Sequence, residues 1–313
     1  MKDRRAPDAG RPPALCRSTS RSSAGEGGGF VKVEASQVTK VRTIIRDMGD
    51  LLVAFSGGVD STVVLKLAID ELGTGRVLAV TAHGDVHTSE ELERSQKIAS
   101  QIGARHVIVD SHELEVPGFS ANPPGRCYLC RGAMYARMWE LARQEGLGTV
   151  VDGANQDDSA DYRPGLRAAK SQGVRSPLTE AGLGKDEVRA LARDLGLTNW
   201  DLPSTPCLSS RFPYGEQITT EKLRMVAEAE RHLRGLGFAT ARVRHHGGLA
   251  RIEVLKDDLA LVAEEPIRGA IVGYLHELGY TYVTLDLEGF RSGSMNETLQ
   301  PALRRNAAEE END

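Results

Sequence analysis

No stretch of the sequence is apolar for long enough to cross a membrane. The apolar core of a secretory signal is also missing near the start. Against 39 Lys and Arg stand 44 Asp and Glu, a net charge of −5. No basic patch is dense enough to track a polyanion, which argues against nucleic acid as a partner. Cysteine is scarce, with four in 313 residues. That is too few for a disulfide frame and suits metal or catalytic chemistry in an intracellular, cytoplasmic chain. Two common nucleotide signatures, G-x-x-x-x-G-K-[ST] and G-x-G-x-x-G, do not occur. What remains is 40% hydrophobic and 27% charged. This is the balance of a soluble globular protein, long enough for two domains.

The chain is organised around Phe55-Ser56-Gly57-Gly58-Val59-Asp60-Ser61-Thr62. An apolar run, Asp50 to Phe55, precedes it at strand length. Val64, Leu67, Ala68 and Leu72 follow on one helical face, and Gly73 suits the stop. Glycines between a strand and a helix leave bare backbone N–H groups at a helix N-terminus, a cradle for anions. Ser56, Ser61 and Thr62 add hydroxyls. Asp60 is informative, because a carboxylate beside phosphates requires a cation such as Mg²⁺ between them. The turn resembles the pyrophosphate-binding loop (PP-loop) of the N-type ATP pyrophosphatases. That resemblance implies cleavage of ATP to AMP and pyrophosphate, hence adenylation.

Taken in order, residues 1–35 read as a disordered Arg-, Ser-, Pro- and Gly-rich tail, holding an incidental Cys16. A helix from Val38 to Met48 leads into the first strand. Val77–Ala82 and His106–Asp110 read as further strands, and Thr149–Asn155 as a fourth with its turn. Between the second and third, Thr88-x-x-Glu91 is a capping box. Alternation of short apolar strands with amphipathic helices predicts a doubly wound parallel α/β sheet. Ligands lie beyond the carboxyl ends of such strands, where Ser56, Thr81 and Asp110 are expected. The acidic loop Asp157–Gly165 falls on the same side. Lys185–Leu195 reads as a helix, and Trp200–Arg211 as an irregular, functional loop. Past Tyr214-Gly215 the order α-β-β-α-β predicts a smaller α+β domain. The expected division is 36–215 and 216–292, with an acidic tail over 293–313.

Cys127 and Cys130 form a C-x-x-C that the flanking Pro and Gly place on a loop, and Cys207 lies far along the chain. Three thiols are one short of a closed zinc site. They suit a 4Fe–4S cluster with an open iron, or a redox pair plus a nucleophile. Arg242 and Arg244 alternate on a strand and so face one way, and Arg211 follows Cys207 by four. Such arginines suit phosphate or carboxylate.

Asn122-Pro-Pro-Gly-Arg-Cys-Tyr-Leu-Cys, Val151-Asp-Gly-Ala-Asn-Gln-Asp-Asp-Ser, Pro206-Cys-Leu-Ser-Ser-Arg-Phe-Pro-Tyr-Gly and Arg242-Val-Arg-His-His-Gly together resemble the LarE family. These are ATP-dependent sulfur transferases of the PP-loop superfamily. The resemblance implies adenylation of a carboxylate of pyridinium-3,5-biscarboxylic acid mononucleotide, then displacement of AMP by sulfur. The product leads to the nickel-pincer nucleotide cofactor of lactate racemase-type enzymes. The resemblance assigns ATP to Ser56, Gly57, Gly58, Asp60, Ser61, Thr62, Thr81 and Gly153, with Mg²⁺ on Asp60. It assigns the acceptor to Ser210, Arg211, Arg242 and Arg244, and a 4Fe–4S cluster to Cys127, Cys130 and Cys207. The other sulfur source known in the family is a single sacrificed cysteine. A homo-oligomer, commonly a hexamer, is implied, and the sulfide donor is left unidentified. Competing readings are a tRNA thiolation enzyme, an NAD or GMP synthetase-like amidotransferase ligase, and a non-catalytic nucleotide-binding module.

Overall fold

The computed structural model describes residues 33–160 and 164–291. Apart from residues 33–35, both expected tails lie outside that range, as do residues 161–163 of the acidic loop. Four parallel strands form the first sheet: β1 (Leu51–Ala54), β2 (Val77–His83), β3 (Arg105–Asp110) and β4 (Thr149–Val151), in the order β3-β2-β1-β4. Leu51 pairs with Val77 on one side and with Thr149 on the other. Chain direction across the sheet therefore reverses between β1 and β4, and that crevice is where such sheets bind ligands.

Seven helices accompany these strands: α1 (Ala35–Met48), α2 (Val59–Leu72), α3 (Ser89–Ile102), α4 (Arg126–Gln144), α5 (Pro164–Ser171), α6 (Pro177–Ala181) and α7 (Lys185–Asp194). Leu51 to Val53 and Val77 to Val80 are buried and apolar in succession because both faces of the sheet are covered. Leu51, Val53, Val77 and Ala79 pack with α1, α2, α6 and α7. The alternate residues Leu52, Leu78 and Val80 pack with Tyr135 and Met138 of α4, as the two-residue period of a strand requires. The capping box holds: Glu91 N–H donates to Thr88 Oγ1 at 3.3 Å, and Thr88 N–H to Glu91 Oε2 at 2.9 Å.

The second sheet has a core of its own. It follows α8 (Thr220–Gly235) and contains β5 (Ala241–His246), β6 (Leu249–Val254) and β7 (Tyr282–Leu285), with α9 (Leu259–Ala263) and α10 (Ile267–Glu277) between the last two. β5 and β6 form the expected antiparallel hairpin around Gly247-Gly248, and β7 joins β6 in parallel. A smaller apolar cluster ties the two sheets together. Val86, Phe119, Leu208 and Phe212 meet Ile218, Leu223 and Val226 there, with Cys130 and Cys207 packed against them.

Two expectations need correction. The C-x-x-C is not on a loop, because α4 starts at Arg126, so Cys127 and Cys130 occupy its first turn. The Pro and Gly residues end at Gly125 and set the helix start. Thr81 is not at a strand end, because β2 continues to His83.

Candidate active site

The glycine-rich turn folds back on itself. Ser56 and Ser61 stand 3.2 Å apart through their hydroxyl oxygens, and Gly58 N–H donates to Ser56 Oγ at 3.2 Å. Thr62 Oγ1 donates to the Gly58 carbonyl at 2.7 Å. Gly57 sits at φ +71°, and a side chain there would meet Ser95 Cα at 3.0 Å. Gly153, just past β4, comes so near the start of α2 that a Cβ would lie 2.6 Å from Ser61 N. The two strand ends flanking the crevice thus close on the loop. Thr81 is buried, donating its hydroxyl to the Phe55 carbonyl at 2.6 Å, with His106 Nε2 2.8 Å away.

Asp60, on the first turn of α2, meets Asn155 of the Val151–Ser159 motif and one group that the sequence did not flag. Lys185 Nζ donates to its Oδ2 at 2.5 Å, and Asn155 Nδ2 to its Oδ1 at 3.2 Å. A cation already rests on the carboxylate, so the position suits positive charge, and one carboxylate plus phosphates is an ordinary Mg²⁺ environment. Two acidic-loop residues serve their neighbours: Asp157 Oδ2 accepts from Lys185 N–H at 2.7 Å, and Asp158 Oδ2 from Asn155 N–H at 3.1 Å. Asn199, in the turn after α7, donates from Nδ2 to the Gly57 carbonyl at 3.1 Å and to Thr62 Oγ1 at 3.0 Å. No periodicity or motif marks Lys185 or Asn199. Their contacts span more than a hundred residues of chain.

Backbone interlocking brings the separated thiols together. Asn122 Nδ2 donates to the Pro213 carbonyl at 2.7 Å, and its own carbonyl accepts from Gly215 N–H at 2.9 Å. Leu208 N–H donates to the Val86 carbonyl at 2.9 Å. Cys207 thereby reaches the start of α4. Burial, and then the nearness of Cys207, pushes the thiols of both Cys127 and Cys130 up from the ordinary cysteine range. All three are free and partly buried. Their donor chemistry fits an iron–sulfur cluster. Among the described residues, however, no three His, Cys, Asp or Glu side chains stand in a metal-holding arrangement. Binding a cluster requires these thiols to turn toward a common centre.

The three arginines have different partners. Arg211 is 2% exposed and makes a two-pronged pair with Glu230, at 2.8 and 3.0 Å. Its Nη1 also donates to the Cys207 carbonyl at 3.0 Å. Arg244 makes a similar pair with buried Glu253 and donates to the Ser210 carbonyl at 2.7 Å. Arg242 hydrogen-bonds to the Ala241 carbonyl and lies over the Phe290 ring, 5.4 Å from its centre. Burial, then the Arg211 charge, pulls its pKa down to about 10, although Glu230 opposes this. A half-buried guanidinium crowded by a like charge is stabilised by an arriving anion. Glu230 and Glu253 also escaped the sequence reading, since neither helix nor strand periodicity separates a pairing carboxylate from a solvated one.

A parallel sheet with a glycine-rich loop at its reversal point, and a carboxylate on the following helix, defines a PP-loop enzyme of the ATP pyrophosphatase type. The comparisons agree. The family model described as queuosine biosynthesis protein QueC matches residues 50–121, from β1 past β3. The pyridinium-3,5-bisthiocarboxylic acid mononucleotide synthase of Lactiplantibacillus plantarum is 42% identical over 273 residues, 86% of this chain and 98% of that protein. An uncharacterised protein of Synechocystis sp. is 45% identical over 264 residues, 84% of this chain and 98% of its own. An NH(3)-dependent NAD(+) synthetase of Chlorobaculum tepidum is 28% identical over 172 residues, 53% of this chain and 60% of that enzyme. The chain belongs to the LarE family of ATP-dependent sulfur transferases.

Proposed function

We propose that this enzyme converts the carboxylates of pyridinium-3,5-biscarboxylic acid mononucleotide to thiocarboxylates, in nickel-pincer nucleotide synthesis. A carboxylate oxygen attacks the α-phosphorus of ATP, and pyrophosphate leaves, giving an acyl adenylate. Sulfur then attacks the carbonyl carbon and AMP leaves. Two rounds give the dithio product. The observation that carries this reading is the interlocking of Asn122 with Pro213 and Gly215, which sets Cys127 and Cys130 beside Cys207 and the arginines.

In this reading the loop N–H groups, Ser56, Ser61 and Thr62 bind the phosphates, with Gly153 allowing their close approach. Asp60 would hold Mg²⁺, whose charge would offset that of the pyrophosphate, and Lys185, already on the same carboxylate, would face the phosphates. Thr81 supports the loop from below. Ser210 and Arg242 receive the acceptor's anionic groups, while Arg211 and Arg244 frame them. Cys127, Cys130 and Cys207 would hold a 4Fe–4S cluster, which would supply the sulfur for transfer. The enzyme is cytoplasmic and homo-oligomeric, a hexamer by family resemblance, which sedimentation tests.

Acceptor-dependent exchange of labelled pyrophosphate into ATP tests the adenylation step. Asp60→Asn lowers it by roughly 10²-fold or more, the scale of losing a charge-stabilising contact. Exchange indifferent to the acceptor would remove the reading. Iron and sulfide analysis of anaerobically purified protein tests the cluster, with about four irons per chain expected for this cluster type. Iron-free protein whose Cys207 becomes dehydroalanine during turnover would replace the cluster with a sacrificed cysteine.

A further inference from the structure

Beside the thiol group, a buried carboxylate and a half-buried imidazole have no role in the chemistry above. Glu113, in the turn after β3, is 2% exposed, yet no lysine or arginine pairs with it among the described residues. Its Oε1 accepts from Ser111 Oγ, while its Oε2 is buried with no hydrogen-bond partner. His87 stands beside it, with Nδ1 3.4 Å from Oε1, and that nitrogen is also buried and unpartnered. Burial holds His87 below the usual histidine range, although Glu113 and then Glu91 oppose this. A buried carboxylate with one oxygen unused and only a neutral imidazole beside it is costly. Such groups mark a place where something polar binds.

Both residues border the thiols. Val86, adjacent to His87, and Leu114, adjacent to Glu113, belong to the apolar cluster that packs Cys130 and Cys207. Glu113 is also near enough for its charge to act on Cys130. On the outer side, Gly84 separates Glu113 from an open cavity of about 340 Å³ lined by His83, Gly84, Asp85, Asp110 and His112. The barrier is thin, since a Cβ on Gly84 would lie 2.2 Å from Glu113 Oε2 and 2.6 Å from Ser111 Oγ. From solvent inward the order is cavity, Gly84, Glu113 with His87, then Cys130.

We propose that the cavity and the Glu113–His87 pair form a port through which hydrogen sulfide, or a molecule of its size and polarity, reaches the thiol group. The chemistry fits in three ways. The unused carboxylate oxygen accepts from an S–H donor. The acidic lining from Asp85, Asp110 and Glu113 favours a neutral molecule over an anion. The absence of a side chain at Gly84 limits passage to something a few atoms across. This proposal rests on the sulfur-transfer reading and concerns delivery alone.

The test is steady-state thiocarboxylate formation with sodium sulfide as the sulfur source, at saturating ATP and acceptor. Gly84→Ala places a methyl where Glu113 Oε2 now lies, and Glu113→Leu removes the acceptor. Both should raise KM for sulfide tenfold or more, leaving pyrophosphate exchange and the rate at saturating sulfide near wild type. Glu113→Gln keeps an acceptor oxygen and should restore most of the sulfide affinity. An unchanged sulfide KM in Gly84→Ala and Glu113→Leu, with exchange intact, would reduce the pair to a water-filled structural feature and overturn the port. Wild-type enzyme that forms no thiocarboxylate from sulfide would instead overturn the sulfur-transfer reading beneath it.

Discussion

Arg242 and Arg244 are two residues apart on β5, and their substitutions should have different consequences. Arg244 is bound on both prongs to Glu253, which is fully buried. Arg244→Ala takes the two-pronged partner from that carboxylate and leaves Arg251 at 3.2 Å, and breaking a buried pair from one side costs about 3 kcal/mol or more. Its signature is a lowered unfolding midpoint in denaturant. Arg242 has no such two-pronged pair, and its crowding by Arg211 is relieved by a bound anion. Arg242→Ala should keep its stability, keep its ATP affinity and weaken the acceptor by roughly 1.5–3 kcal/mol, the value of a charged hydrogen bond. Separate titrations of ATP and acceptor check this, and equal losses would place Arg242 at the nucleotide. The alternation of charges along β5 was plain in the sequence. Which arginine is already paired was not, because that depends on Glu230 in α8 and Glu253 in β6.

At the scale of single elements, the loop from Ser56 to Thr62 is held from behind. Its shape depends on Gly57 at positive φ, on Gly153 without a side chain and on the Asn199 amide. Gly153→Ala forces a methyl to 2.6 Å from the backbone nitrogen of Ser61. Backbone yields less readily than a flexible side chain, so this change should lower thermal stability and weaken ATP together, as calorimetry on one sample would show. The strand, the glycine turn and the helix after it were legible because local chemistry dictates them: apolar runs, a helix stop and a capping box. The position of the C-x-x-C was not. Pro123, Pro124 and Gly125 read as loop, and they are, but α4 begins directly after them and takes both cysteines into its first turn. The groups that brace the loop were equally hidden, since Lys185 and Asn199 reach Asp60 and Gly57 through tertiary folding alone.

Across the whole molecule, the segment carrying Cys207 is strung between two sites. At one end Asn199 holds the nucleotide loop. At the other Arg211 binds the Pro206 and Cys207 carbonyls, at 2.6 and 3.0 Å, and anchors to Glu230 of α8. Occupancy of the loop should therefore alter the reactivity of Cys207. ATP with Mg²⁺ is expected to change the rate of Cys207 alkylation several-fold in the wild type. In Asn199→Ala, ATP should still bind while that change is lost, read by mass spectrometry of the modified peptide. An undiminished response in the variant would mean that the segment senses nucleotide by another path.

Adenylation and sulfur transfer are read together, on the same chain, by product analysis. Enzyme, ATP, Mg²⁺, sulfide and pyridinium-3,5-biscarboxylic acid mononucleotide are combined anaerobically, and the nucleotide products and acceptor are followed together by mass spectrometry. The account predicts one AMP and one pyrophosphate for each carboxylate oxygen replaced by sulfur, with both products absent when the acceptor is withheld. Release of ADP and phosphate, or AMP formation with an acceptor that never gains sulfur, would contradict it.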